Sequence, residues 1–152
     1  MADVVPVTPE HVAELLQGIR APDVDEFWAA ARLTPAQALS MSLECRGDRW
    51  AALHEGKLLC IFGVARGSLL TTSGTIWLIG HRRIDRMARA FLVDCRPTLD
   101  AILSRYSHLS NYVDARNRRA IRWLQWLGFQ IHPAAPHGAE GLPFHYFEKG
   151  CG

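Results

Sequence analysis

The chain has 152 residues, a mass of 17.0 kDa and a formal charge of +2, with 49% apolar and 21% charged residues. That balance excludes a disordered chain and is enough to bury a core without a disulfide framework or structural metal. The longest apolar run, Leu58 to Ala65, is far short of the roughly 20 residues that span a bilayer.

The start, Met1-Ala2-Asp3-Val4, lacks the basic and apolar regions of a secretion signal, so a cytoplasmic protein with no membrane partner is expected. Cys45, Cys60, Cys95 and Cys151 are scattered and form no Cys-x-x-Cys pair, as free thiols of a reducing compartment would be. Charge is segregated. Residues 1–31 hold six acids against Arg20, whereas residues 81–122 hold ten arginines against four aspartates.

In chain order, Val4–Val7 is a short apolar strand. Thr8 then caps a helix opened by Pro9, with Val12, Leu15, Leu16 and Ile19 on one face. A second helix is expected from Asp23, with Glu26 completing a capping box, and a third from Thr34-Pro35 with Gln37 in the matching position. Arg49–His54 and Lys57–Arg66, divided by Glu55-Gly56, read as a hairpin, and Thr75–Gly80 as a third strand. From Arg82 to Tyr106 the apolar residues recur at helical spacing, in phase across Pro97, which predicts a kinked helix. Leu109–Asp114 is a strand and Asn117–Leu127 a helix stopped by Gly128. Phe129–His132 and Phe144–Glu148 close the chain as strands around a Pro/Gly-rich loop at 133–143. Residues 1–152 thus read as one α+β domain.

This order, with Asn117-Arg118-Arg119-Ala120-Ile121 and the closing Leu127-Gly128-Phe129, resembles the GNAT superfamily of acyl-CoA-dependent N-acyltransferases. The stretch from Asn111-Tyr112-Val113-Asp114 to Phe129, with Pro143-Phe144-His145, is similar to a phage- and prophage-encoded GNAT-like family that includes internal virion proteins of short-tailed phages. The resemblance implies a mixed, mostly antiparallel central sheet flanked by helices. It also implies acetyl-CoA or CoA as cofactor, with the pantetheine arm on the strand Thr75–Ile79 and the pyrophosphate at the following turn. Ile79, Gly80, His81, Arg82, Arg83 and Asn117 are the corresponding cofactor-binding candidates.

The chain departs from the family where chemistry would sit. The turn keeps only Gly80 of the small residues that let backbone approach phosphate, leaving Arg82, Arg83 and His81 to grip an anion by side chains. The position of the family's thiolate-protonating Tyr is Leu124, and Thr75–Gly80 carries no Glu or Asp to act as base. Tyr112 and His108 are the substitutes available.

These departures favour a phage-type structural or accessory virion protein with eroded catalytic motifs, associating with itself or with virion components in the host cytoplasm or the virion. The alternative is an N-acetyltransferase with non-standard catalytic residues. A third is an anion- or nucleic-acid-binding module built on the arginines, with Trp123 and Trp126 beside them. Core tryptophans with a solvated basic rim explain the same residues, so nucleic acid is not the preferred partner. His132, His137 and His145 match no zinc-ligand spacing, and no metal is expected. Asp23, Asp25, Glu26 and Glu44 would suit an amine acceptor, but are read as solvated helix caps.

Overall fold

The computed structural model describes residues 2–67 and 70–150. Strand β1 (Ala2–Val5) leads to helices α1 (Pro9–Leu16), α2 (Ala21–Ala31) and α3 (Pro35–Glu44). Strands β2 (Gly47–His54), β3 (Lys57–Ala65) and β4 (Ser73–Gly80) follow, then a 3-10 turn (Arg82–Arg86) and helix α4 (Ala88–Arg105). Strand β5 (His108–Asp114), helix α5 (Arg118–Trp126) and strands β6 (Gln130–Ile131), β7 (Ala135–His137) and β8 (Leu142–Gly150) complete it. Among the described residues the eight strands form one sheet in the order β1-β2-β3-β4-β5-β8-β6, with β7 also on β8. Every pairing is antiparallel except β4 with β5. This is the α+β architecture expected from the sequence. No helix among the described residues is long and apolar enough to cross a membrane.

Local chemistry explains most boundaries. Thr8 and Thr34 each accept an N–H from the third helical residue, and His11 and Gln37 answer by accepting the cap's own N–H. Glu55 and Gly56 both take positive φ, 51° and 77°, the two-residue turn whose twist suits a hairpin.

Three expectations are corrected. Helix α2 starts at Ala21, because Pro22 lies in its first turn, where a missing N–H is harmless, so Asp23 and Glu26 are not its caps. The helical period after Arg82 is broken at Met87, and α4 proper runs through Pro97. The 133–143 loop contains a short strand, β7.

Two apolar layers cover the sheet. On one face Leu59, Phe62 and Val64 pack with Phe91, Leu99 and Leu103 of α4. On the other, Leu58, Ile61 and Ile79 pack with Leu15 of α1 and Leu39 of α3. Strand β3 is therefore buried on both sides, which is why its sequence is continuously apolar rather than alternating. Cys60 and Cys95 lie in these layers as free thiols, while Cys45 is exposed. Cys151 lies outside the described residues.

Candidate active site: a cleft where two parallel strands part

The parallel pairing of β4 and β5 is short. Ser73, Gly74 and Thr75 face His108, Leu109 and Ser110, and the ladder then stops. Its closed end is tightly packed: a Cβ on Gly74 would come within 2.2 Å of Val64 Cγ1 and 3.0 Å of the Tyr106 ring. Just past Thr75, the Asn111 side chain enters the ladder. Its Nδ2 donates to the Ile76 carbonyl at 2.8 Å, and its Oδ1 accepts the Tyr112 N–H at 2.8 Å. A side-chain amide stands where a strand would have been, and the two backbones part beyond it.

The edge of β4 that faces this gap can be followed residue by residue. Gly80 donates its N–H to Asp23 at 2.8 Å and accepts the Arg20 N–H at 2.9 Å. Hydrogen-bonding direction alternates along an antiparallel strand, so Leu78, opposite Phe62, also turns its N–H and C=O away from β3 and into the gap.

The gap opens into a cleft of about 440 Å³, a size suited to a small ligand. Ile76, Leu78, Ile79 and Leu124 supply apolar wall, and Tyr112, Asn117, Asp23 and Glu26 supply polar groups. Tyr112 is 41% exposed, with its ring stacked on His137 at 3.8 Å.

At the head of the cleft lies a buried polar network. Arg20, only 1% exposed, donates from Nε to Asp85 at 2.8 Å and from Nη1 to Asp23 at 2.7 Å, and its guanidinium lies 4.8 Å from the Trp123 ring centroid. Asn117 joins Asp23 at 3.3 Å. Burial pushes the Asp23 carboxyl upward against the pull of Arg20. Glu26 accepts the Asp114 N–H at 2.8 Å. Burial, and then the neighbouring Asp23, push its carboxyl up to about 8.

The residues singled out in the sequence fare differently. Ile79, Asn117 and Tyr112 line the cleft. The turn is already saturated by the protein itself: the N–H groups of Gly80, His81, Arg82 and Arg83 go to Asp23, Leu59 O, Gly18 O and His81 Nδ1. Because His81 Nδ1 accepts, and burial and the adjacent arginines lower its pKa, this buried imidazole is no cationic grip. Arg83 is held by Glu14 and the Leu58 carbonyl, whereas Arg82 is exposed. His108 pairs with Glu148 at the closed end of β5, outside the cleft lining. Two of the arginines around the start of α5 find internal anions, Arg116 on the Asp114 carboxylate and Arg119 on Asp85. His132 likewise pairs with Glu148, and His145 Nδ1 contacts the His132 carbonyl.

Sequence reasoning missed Arg20 and Asn111, and it read Glu26 as a solvated cap where the structure places it in the cleft lining. Only Asn111 carried a local signal, an amide side chain inside a strand pattern.

The sequence matches no protein-family model and no curated protein. Solved structures do match in three dimensions. A GNAT-family acetyltransferase from Streptococcus pneumoniae superposes with a TM-score of 0.65 at 17% identity, over 100% of both chains. The ribosomal-protein-S18-alanine N-acetyltransferase from Escherichia coli gives 0.64 at 16% identity, over 99% of this chain and 94% of that one. Spermidine N-acetyltransferase from Vibrio cholerae, solved with CoA and spermine, gives 0.68 at 10% identity, over 99% and 95%. The chain therefore has the GNAT fold.

Proposed function

We propose that the protein is an N-acyltransferase that takes its acyl group from a pantetheine thioester such as acetyl-CoA, held in the gap between β4 and β5. The observation that carries this reading is the split itself. Leu78 offers one backbone donor and one acceptor to an amide-bearing chain, as a missing strand would, between walls apolar enough for its methylenes. A bound acyl-CoA would supply the activated thioester carbonyl. The protein's part is to lay the arm along β4 and present the carbonyl at the cleft, since positioning alone supplies much of such a transfer.

The fit is uneven along the donor. Residues Leu78, Ile79 and Asn111 suit the arm. The turn Gly80–Arg83 offers a diphosphate no free backbone N–H, so recognition there falls to exposed arginines, Arg82 first. The virion role drawn from the phage resemblance gains no support from the neighbours described above, which are acetyltransferases by their own descriptions.

Calorimetric titration of acetyl-CoA and desulfo-CoA, followed by thiol release with a panel of primary amines, tests the reading. Binding in the micromolar range that weakens in Arg82→Ala is expected, together with thiol release on at least one amine. Absence of binding at millimolar acetyl-CoA would overturn it.

A further inference from the structure

Acyl transfer to an amine leaves one proton without an owner. The attacking nitrogen must lose it, yet β4 carries no carboxylate and the wall position of a customary acid is Leu124. The cleft supplies two carboxyls from α2. Asp23 is committed to Arg20, Gly80 and Asn117. Glu26 is different: its polar partners, the Asp114 N–H and the Asn117 side-chain amide, are both uncharged, and among the described residues no basic side chain stands within ion-pair distance of it.

We propose that Glu26 is the general base of the transfer, accepting the proton of a primary amine that enters the cleft beside Asp114. This role rests on the acyl-transfer reading above.

As the neutral nitrogen adds to the thioester carbonyl, one N–H proton passes to the Glu26 carboxylate. The C–N bond forms and the C–S bond breaks. The proton then passes from Glu26 to the departing thiolate, so that amine and thioester become amide and thiol with Glu26 again ionised. The surroundings suit the task. Glu26 faces Asp23 and Arg20 from α2, Asp114 from β5 with Arg116 paired to it, and Asn117 at the head of α5. The Tyr112–His137 stack on β5 and β7 completes the titratable lining on that side. Burial first, and then the neighbouring Asp23 carboxylate, raise the proton affinity of Glu26 toward that of the amine it serves.

The test is Glu26→Gln, which keeps an oxygen for the Asp114 N–H. It is assayed by thiol release with a weakly basic amine, neutral throughout the pH range, so that any limb of the profile belongs to the enzyme. Wild-type kcat/KM should climb with pH and level near 8. In the variant the rate should fall about 100-fold or more, the limb should vanish, and acetyl-CoA affinity should survive with no loss of melting temperature. A variant within about threefold of wild type and with the same limb would overturn the role of Glu26 while leaving acyl transfer standing. A wild type that binds no acetyl-CoA and releases no thiol would overturn both.

Discussion

The two ends of the β4–β5 pair are built from opposite materials. At the closed end the strands meet through backbone bonds, and Gly74 lets the Tyr106 ring lie against them. At the open end the strands are separated by side-chain groups: an Asn111 amide, then the Arg20–Asp23–Asn117 cluster, then Glu26 on the Asp114 N–H. Backbone pairing gives rigidity and leaves no space for a ligand. Replacing it with side chains satisfies Ile76 and Gly80 while the sheet is held open, and leaves the Leu78 N–H and C=O to a ligand. The fold can therefore contain a cleft through its central sheet with few ladder groups left unpaired there.

The contrast can be broken most severely at Arg20. Removing it in Arg20→Ala leaves Asp23 buried without its cation and Asp85 without its main partner. A loss of about 3–5 kcal/mol is expected by chemical denaturation, the usual cost of orphaning one half of a buried ion pair. A loss below about 1 kcal/mol would mean the cluster is not what closes the head of the cleft.

The closed end should respond to bulk. Gly74→Val forces side-chain atoms against Val64 and Tyr106, and overpacking of this kind costs about 1–3 kcal/mol. Acetyl-CoA affinity should change less than stability does. If affinity collapses while the melting temperature holds, the two ends are not independent.

Glu26 predicts an effect of the opposite sign. Its carboxyl titrates near 8 in the fold against an ordinary value of 4.5, so the folded state holds the proton more tightly than the unfolded chain. Its contribution to stability is therefore full below about 4.5, declines as pH rises, and is lost above about 8. Glu26→Gln escapes that decline. Its melting temperature should gain on wild type from about pH 4.5 to about pH 8 and then level off, with a final advantage on the order of a few kcal/mol. A constant difference across that range would show that Glu26 titrates normally.

How much of this was legible in the sequence depended on how far each cause reaches. The caps at Thr8 and Thr34 and the turn at Glu55-Gly56 are decided within four residues, and the sequence shows them directly. The element order and the mixed sheet followed from periodicity and the Asn117–Phe129 resemblance. The polar head of the cleft did not. Arg20 looked like one base among acids, because its partners Asp85 and Asn117 lie 65 and 97 positions away. Asp23 and Glu26 carry a capping-box spacing, but Pro22 moves the helix start forward and turns both side chains inward. His108 belongs to the right strand at the wrong end, since the parallel ladder begins there and opens only after Ser110.

The subtlest way to sharpen the comparison is to offer the open end the backbone pairing of the closed one. Asn111→Val removes the amide that bonds to Ile76 and puts a good strand former in its place. One side-chain hydrogen bond is lost, about 1 kcal/mol, and an added rung between Ile76 and β5 would offset part of it, so stability should barely move. The rung would instead consume the mouth of the gap. Amide exchange in β4 should slow around Ile76 to Leu78, and acetyl-CoA affinity should fall roughly tenfold, a difference of about 1.4 kcal/mol. Unchanged exchange with unchanged affinity would mean that the Arg20 cluster alone holds the strands apart and that Asn111 merely fills the space they leave.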